Sequence, residues 1–208
     1  MDFPEMFKAD LPPEFLTNLY HSIRDAYSSA RLAVDSQALG ADERYNLMPW
    51  TRRAHVESRL RDAAACCNVD TYTKKTGFWR HVVATCGRFR VTQTTSIDST
   101  TPIRKAEYKV RYAKEQLLLP FFEDAQQNIE QDAPHLYAVV LHRANVLADE
   151  PDFISIRFPT SDLEGFHRGE IDLSLYADLP SSELAVPEEQ IDELSAPTLK
   201  LRKQMDTA

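Results

Sequence analysis

The sequence predicts an α+β fold, and three observations indicate it. Apolar residues recur every three or four positions in the first third of the chain, which is typical of amphipathic helices. Later segments alternate apolar and polar residues between glycine and proline boundaries, which is typical of β-strands. A basic segment with helical periodicity lies between the two groups of strands. We therefore expect an N-terminal helical pair, two β-hairpins and an edge strand in a mainly antiparallel sheet, and a long helix packed on that sheet.

The helical pair is predicted at residues 12–34 and 51–67, where the apolar positions form one stripe in each segment. The first stripe consists of Phe15, Leu19, Ile23, Ala26, Tyr27 and Ala30. The second consists of Val56, Leu60, Ala63, Ala64 and Cys67. The other segments at this end of the chain, 1–11, 35–48 and 68–77, lack a clear period and predict an extended lead-in, a loop and a polar connection.

The first hairpin is predicted from two extended runs, residues 79–86 and 89–95, which are separated by Gly87 and Arg88. A two-residue connection that starts with glycine favours a type II′ turn, whose twist suits a hairpin. The first strand is apolar on both faces, which predicts a central position in the sheet. The second strand alternates, and its outward-facing side chains are expected to be Arg90, Thr92 and Thr94.

The long helix is predicted over residues 102–119. Thr101 is a good helix cap, Pro102 suits the first helical position, and an apolar stripe follows. The remaining positions of this segment are strongly basic. They are Arg104, Lys105, Lys109, Arg111 and Lys114.

The second half of the chain predicts four further elements. A shorter acidic helix is expected at residues 121–131. Two strongly apolar runs at 136–143 and 153–158 predict the second hairpin, and alternation at 171–175 predicts the edge strand.

The predicted organisation is one α+β domain over residues 1–179, with a helical part at 12–67 and a mixed sheet part at 79–176. From residue 180 the chain becomes rich in proline, serine and glutamate. Such a composition buries little apolar surface, so residues 180–208 predict an acidic, partly disordered tail with one weak helix at 187–194.

Composition argues for an ordinary water-soluble protein of the cytoplasm. The chain is 43% hydrophobic and 27% charged, and its apolar runs are far shorter than a membrane span. Its N-terminus lacks the pattern of a signal peptide. Three cysteines form neither a disulfide framework nor a metal-binding pattern, and five glycines do not form a phosphate loop. We expect no membrane association, no metal and no cofactor.

Charge is distributed unevenly along the chain, which has a net charge of −8. Residues 51–120 carry 14 Lys and Arg against 6 Asp and Glu, whereas residues 121–208 carry 6 against 18. A basic segment between acidic ends is typical of a surface that binds anions, and it is equally typical of two parts of one fold that neutralise each other. The predicted binding residues are Arg88, Arg90, Thr92, Thr94, Arg104, Lys105, Lys109 and Arg111.

Two weak catalytic patterns occur within and beside this basic segment. Asp98 followed by Glu107 and Lys109 is the arrangement with which one nuclease superfamily holds Mg²⁺ and orients water. That chemistry needs neighbouring strands, whereas Glu107 and Lys109 lie in a segment with helical periodicity. His81 and His142 lie on predicted central strands and are candidates for acid–base catalysis, although neither is followed two residues later by the serine or threonine of known two-histidine phosphoesterases.

These observations favour a non-enzymatic binding or regulatory protein. Its basic strand and helix surface, about residues 79–115, is expected to engage an acidic partner, with a protein surface favoured over nucleic acid because the chain as a whole is acidic. A nucleic-acid-binding protein is the first alternative and a Mg²⁺-dependent nuclease the second. The chain's own acidic tail is another candidate for this surface, through Glu188, Glu189, Asp192 and Glu193.

Overall fold

The fold is that of a computed structural model, which describes residues 2–76, 79–116 and 135–179. Helices and strands in this part of the chain make an α+β fold, as the sequence predicts. The helices are α1 (Phe3–Ala9), α2 (Glu14–Asp35), α3 (Ala41–Cys66) and α4 (Glu107–Glu115). The strands are β1 (Asp70–Thr76), β2 (Trp79–Cys86), β3 (Phe89–Thr95), β4 (Leu136–Arg143), β5 (Phe153–Arg157) and β6 (Ile171–Asp172).

The six strands form one sheet in chain order, β1-β2-β3-β4-β5-β6. Every neighbouring pair is antiparallel except β3 and β4, which are parallel and in register from Phe89 opposite Leu136 to Thr95 opposite His142. A parallel pair needs a crossover between its strands, and α4 lies in that connection. The predicted mainly antiparallel sheet is therefore confirmed.

Helices cover both faces of the central strands. On one face, α2 and α3 pack against the side chains of alternate strand positions, with Phe89, Val91 and Val140 fully buried. On the other face, α4 places Tyr112 and Ala113 in a second apolar cluster with strand residues. Burying one large apolar side chain contributes about 1.5–3 kcal/mol, so both clusters stabilise the sheet strongly.

The prediction of an extended lead-in at residues 1–11 is wrong, because this segment contains helix α1. The Asp2 side chain accepts a hydrogen bond from the Glu5 backbone N–H, 3.2 Å away, and so caps α1. Phe3 and Phe7 are four residues apart, lie on one side of the helix and are buried. A helix of seven residues, about two turns, is too short for its period to stand out in the sequence.

Helix α3 begins ten residues earlier than predicted. The prediction of a loop at 35–48 is therefore wrong for most of that range. The N-terminal part of α3 buries only Met48 and Arg52, and it therefore shows almost no apolar stripe. It also contains Pro49 within the helix, which removes one backbone donor and is usually a sign that a helix ends. The predicted helix at 12–34 agrees with α2.

Two predictions about strands also need correction. The polar connection predicted at 68–77 contains strand β1, each of whose residues pairs with β2, from Asp70 opposite Thr85 to Thr76 opposite Trp79. The edge strand predicted at 171–175 is limited to β6. A 3-10 helix (Leu173–Tyr176) follows it, because the Asp172 side chain accepts a hydrogen bond from the Ser174 N–H.

Helix α4 starts five residues later than predicted. The Asp98 carboxylate accepts hydrogen bonds from the backbone N–H groups and the hydroxyls of Thr100 and Thr101, at 2.6–2.9 Å, and so fixes a turn where the helix was expected to begin. Ile103 is buried ahead of the helix. The predicted end of this helix, the predicted helix at 121–131 and the predicted tail at 180–208 lie outside the described residues.

The first hairpin is confirmed, with Cys86 opposite Phe89 across the connection. Gly87 has a φ of +52° whereas Arg88 has a negative φ, which is the pattern of the predicted type II′ turn. The turn is fastened to the end of α1, because the Asp10 carboxylate accepts hydrogen bonds from the Arg88 backbone N–H and guanidinium.

We predict that Gly87→Ala lowers the free energy of unfolding by about 1–3 kcal/mol, because its φ disfavours any side chain. A Cβ at this position would also lie 2.7 Å from the Cβ of Asp10. Chemical denaturation measures the change. Gly165→Ala is the matched control, since nothing lies within 4 Å of its added Cβ. Equal stability losses in the two variants would contradict this account of the turn.

Candidate binding surface and the polar core beneath it

The β3 side chains predicted to face outward lie beneath α4, where Arg90 and Thr92 are buried and Thr94 is half-buried. Arg90 is 5% exposed, forms an ion pair with Glu115 and lies over the ring of Tyr112, 5.4 Å from its centroid. Thr92 is also buried, and its hydroxyl is 2.8 Å from the hydroxyl of Tyr137. The alternation along β3 was predicted correctly, but the face assigned to solvent is covered by the following helix.

Lys109 points inward from α4 toward the same strand. Its ammonium donates a hydrogen bond to the Thr94 hydroxyl at 2.8 Å, and only 4% of the residue is exposed. Burial, together with the positive charges of Arg53 and Arg104, lowers the pKa of Lys109 to about 8. Lys109 therefore holds α4 against β3 and is withdrawn from the surface.

The other predicted binding residues remain at the surface. Arg88 makes a two-point ion pair with Asp10, and Lys105 pairs with Glu164. Arg111 is half-exposed, with its Nε 3.9 Å from a Glu115 oxygen, and Arg104 is exposed. The structure thus divides the predicted set into residues turned toward the core (Arg90, Thr92 and Lys109, which are buried, and Thr94, which is half-buried) and surface residues (Arg88, Arg104, Lys105 and Arg111).

The three residues of the nuclease pattern have separate surroundings. The Asp98 carboxylate accepts hydrogen bonds within its own turn, and Lys109 points into the core. Glu107 is exposed and lines a surface pocket. Glu107 and Lys109 are two positions apart on a helix and so point in different directions. In the three described ranges, no group of three or more His, Cys, Asp or Glu side chains could hold a metal ion.

His142 belongs to a buried hydrogen-bonded chain on the α2 and α3 side of the sheet. Its Nε2 is 2.9 Å from the Gln93 Oε1, and its Nδ1 is 2.7 Å from the Tyr27 hydroxyl. The Gln93 amide N–H donates to Glu57, which leaves Oε1 as the acceptor. His142 therefore donates a hydrogen bond from Nε2 to Gln93 and accepts a hydrogen bond at Nδ1 from the Tyr27 hydroxyl. Burial lowers the pKa of His142 to about 3, so the ring is neutral at pH 7.

Glu57 connects this chain to the backbone of β2. One carboxylate oxygen accepts the Val82 backbone N–H at 2.7 Å, and the other accepts the Gln93 amide at 2.8 Å. The β2–β3 pairing extends only as far as Ala84 opposite Val91, so Glu57 provides the acceptor where the ladder stops. Burial raises the pKa of Glu57, while the two hydrogen bonds act in the opposite direction.

His81 lies on the opposite face of the sheet in a strongly positive environment. It is 2% exposed, its ring stacks on Tyr108 with centroids 3.8 Å apart, and neither ring nitrogen has a hydrogen-bond partner in the described ranges. Burial lowers its pKa, and with four nearby positive charges the value falls to about 4; the charges are those of Arg53, Lys74, Arg111 and Lys109. His81 and His142 are thus on different faces and do not form a catalytic pair.

A basic pocket of about 280 Å³ lies beside Tyr108, between β1 and the start of α4. Its lining residues are Lys74, Lys75, Thr76, Glu107, Tyr108 and Arg111. The sequence prediction does not include the two lysines, because the polar residues 68–77 predict a connection and not a strand. Threonine at positions 71, 73 and 76, together with Tyr72, is the strand-like composition that could have revealed them.

Strand β1 is the first strand of the sheet and pairs only with β2 among the described strands. Its other edge carries the backbone N–H and C=O groups of a seven-residue strand. Lys74 and Lys75 lie near the end of this edge, and exposed lysines of this kind keep sheets from pairing indiscriminately. The edge and the basic pocket are therefore adjacent.

Comparison with known protein families, with curated proteins and with solved structures gives no match to this chain. Among the helices of the described ranges, none combines the length and the apolar character that a membrane crossing requires.

We predict that Glu115→Ala lowers the free energy of unfolding by about 2–4 kcal/mol, because it removes the carboxylate that faces the buried Arg90 guanidinium. Glu164→Ala removes the exposed partner of Lys105 and is the control, with little or no change expected. Urea denaturation measures both. A loss for Glu164→Ala as large as that for Glu115→Ala would show that burial does not decide the strength of these ion pairs.

Stability is predicted to fall as the pH decreases from about 6.5 to about 4. His81 and His142 have folded-state pKa values of about 4 and about 3, below the usual 6.5, so the unfolded chain binds more protons in this range. The two groups together give a slope of up to about 2.7 kcal/mol per pH unit. The raised pKa of Glu57 opposes this effect at the acidic end of the range.

The variant His81→Phe isolates one of the two contributions. It keeps an aromatic ring against Tyr108 and removes one titrating group, so the slope should fall by up to about 1.4 kcal/mol per pH unit. Urea denaturation at several pH values between 4 and 7 measures it. An unchanged slope would mean that His81 titrates normally in the folded protein.

Proposed function

We propose that this chain is a non-enzymatic binding protein that engages an acidic segment of another protein. The observation that carries the proposal is the position of the β1 edge beside the basic pocket lined by Lys74, Lys75 and Arg111. An extended segment that pairs with β1 would gain backbone hydrogen bonds along the edge and would place its acidic side chains near these cations.

The strand edge supports a protein partner over nucleic acid. Alternating N–H and C=O groups match the backbone of another polypeptide, whereas a nucleic acid backbone offers acceptors only. The net charge of −8 also weakens the long-range attraction on which nucleic acid binding depends.

Like charges across the β1–β2 pair give further support. Lys75 lies directly opposite Arg80, and such a pair destabilises a sheet. Lys74 lies opposite His81, whose pKa its charge lowers. An acidic segment along the β1 edge would relieve the repulsion between Lys75 and Arg80. Arg104 and Lys105, which also belong to the predicted basic surface, extend the positive charge beyond the pocket.

We predict that peptides selected from a random displayed library against this protein are acidic and extended. Their affinity should fall at least ten-fold, about 1.4 kcal/mol, when both lysines are reversed in Lys74→Glu/Lys75→Glu. Fluorescence anisotropy with the selected peptides measures the change. The double variant Lys8→Glu/Arg59→Glu alters the net charge equally on α1 and α3 and should bind as the parent does.

Two outcomes would overturn this proposal. The first is selection of neutral or basic peptides, and the second is equal weakening by the two double variants. A labelled DNA duplex tests the alternative in parallel. Tight binding to DNA that weakens steeply with salt, without acidic peptide binding, would identify the basic surface as a nucleic acid site.

A further inference from the structure

We propose that the basic pocket beside Tyr108 is a phosphate subsite, which accepts a phosphorylated side chain of the bound protein segment. The inference rests on the proposed function and adds a specific requirement to it. The segment would carry a phosphomonoester where its chain passes the junction of β1 and α4, in addition to acidic residues along the rest of the edge.

The first argument is the arrangement of positive charge around the pocket. Strand alternation and the register place Lys74 on the face that carries His81 and Tyr108, where Arg111 also lies. Lys75 is the next residue along the same edge and lines the rim. In the described ranges neither lysine has an ion-pair partner within 4.0 Å, and the contact of Arg111 with Glu115 is a long one, at 3.9 Å. These cations are therefore available to an incoming anion.

The second argument is His81, which is buried directly beneath the wall of the pocket. Tyr108 lines the pocket, and its ring stacks on the His81 ring. Leaving a buried polar group without a partner costs about 1–3 kcal/mol, and here the positive charges of four side chains converge on that group. An anion in the pocket would offset this accumulated positive charge.

The third argument is the end of α4. Glu107 and Tyr108 are its first residues, and the capping position is Ala106, whose side chain cannot accept a hydrogen bond. The positive end of the helix dipole therefore faces the same pocket as the cations. The Glu107 carboxylate lies at this end of the helix and partly offsets the positive potential there. A ligand with a single negative charge therefore competes with Glu107 for the same positive groups.

A phosphomonoester fits these conditions better than a carboxylate. It carries about −1.5 to −2 charges at pH 7 and three acceptor oxygens, enough to contact Lys74 and Arg111 together, with Lys75 nearby at the edge of the pocket. A pocket of about 280 Å³ is several times the ~30 Å³ that a water molecule occupies in the liquid, so it has room for the phosphate and for the carbon that bears it.

The direct test uses small probes that need no peptide. Methyl phosphate, titrated into the isotope-labelled protein at pH 7.5, should shift the backbone amide resonances of residues 74–76 and 107–111 in a saturable manner. Acetate at equal ionic strength should bind at least ten-fold more weakly. Phosphorus NMR should show a lowered second pKa for the bound ester, which is ordinarily about 6. No saturable shift, or equal binding of acetate, would overturn the proposal.

Two variants locate the site. Lys74→Gln and Arg111→Gln should each weaken methyl phosphate at least five-fold, whereas Lys105→Gln, on the same side of the protein but outside the pocket, should not change it. The amide spectrum of each variant shows whether the fold is kept. Weakening by Lys105→Gln equal to that by the other two would indicate general charge attraction and would contradict a built site.

A peptide comparison separates this inference from the proposed function. One selected acidic peptide is made with serine and with phosphoserine at the position that faces the pocket. The phosphorylated form should bind at least ten-fold more tightly, and Arg111→Gln should abolish that advantage. Equal binding of both forms would remove the phosphate subsite and leave the proposed function standing. Binding of methyl phosphate without any acidic peptide binding would do the reverse.

Discussion

The Glu57 carboxylate is the constraint on which the rest of the structure depends. It enters from α3 at the point where β2 and β3 stop pairing, and it satisfies the Val82 N–H that would otherwise be buried without an acceptor. Its second oxygen fixes the orientation of the Gln93 amide. That orientation determines the His142 tautomer, and the tautomer makes Tyr27 the donor at the far end of the chain. One charged side chain thus sets the relation among α2, α3 and three strands.

The opposite face of the sheet depends on the same region in a different way. Arg53 lies one turn of α3 from Glu57, and its positive charge lowers the pKa values of both His81 and Lys109. Glu57 raises the pKa of Lys109. Charges on the α3 side therefore influence groups beneath α4. The basic pocket is the outer boundary of this positive region.

The sequence predicts those parts of the fold that have a strong period or a specific turn. Helix α2, the Gly87 hairpin and the apolar strand β4 all show such signals. It fails where tertiary contacts override a weak local pattern. The Asp98 carboxylate holds Thr101 in a turn, so the helix predicted to begin at Pro102 begins later. Pro49, which predicts a helix end, lies inside α3. The polar strand β1 has a strand-like content of threonine and tyrosine, but it lacks an apolar alternation, and its pairing with β2 decides its conformation.

The candidate site was predicted only in part for the same reason. Alternation identified Arg90, Thr92 and Thr94 as one face of a strand, but no local pattern shows that α4 folds back over that face. Glu57 and Gln93 look like ordinary surface residues in the sequence, because their importance comes from a gap between two strands. Lys74 and Lys75 were missed together with the strand that carries them. Burial by distant segments is the information that the sequence does not display.

The parallel pairing of β3 and β4 has a consequence for how the chain folds. The antiparallel pairs join segments that follow one another in the sequence, so the β1–β2–β3 unit and the β4–β5–β6 unit each need only shorter connections. The β3–β4 ladder joins residues more than forty positions apart, such as Phe89 and Leu136. Closing that long connection costs more chain entropy than closing the shorter ones, and it brings the two units together. It also places Gln93 beside His142, so the buried polar chain is completed only when the two halves of the sheet have met.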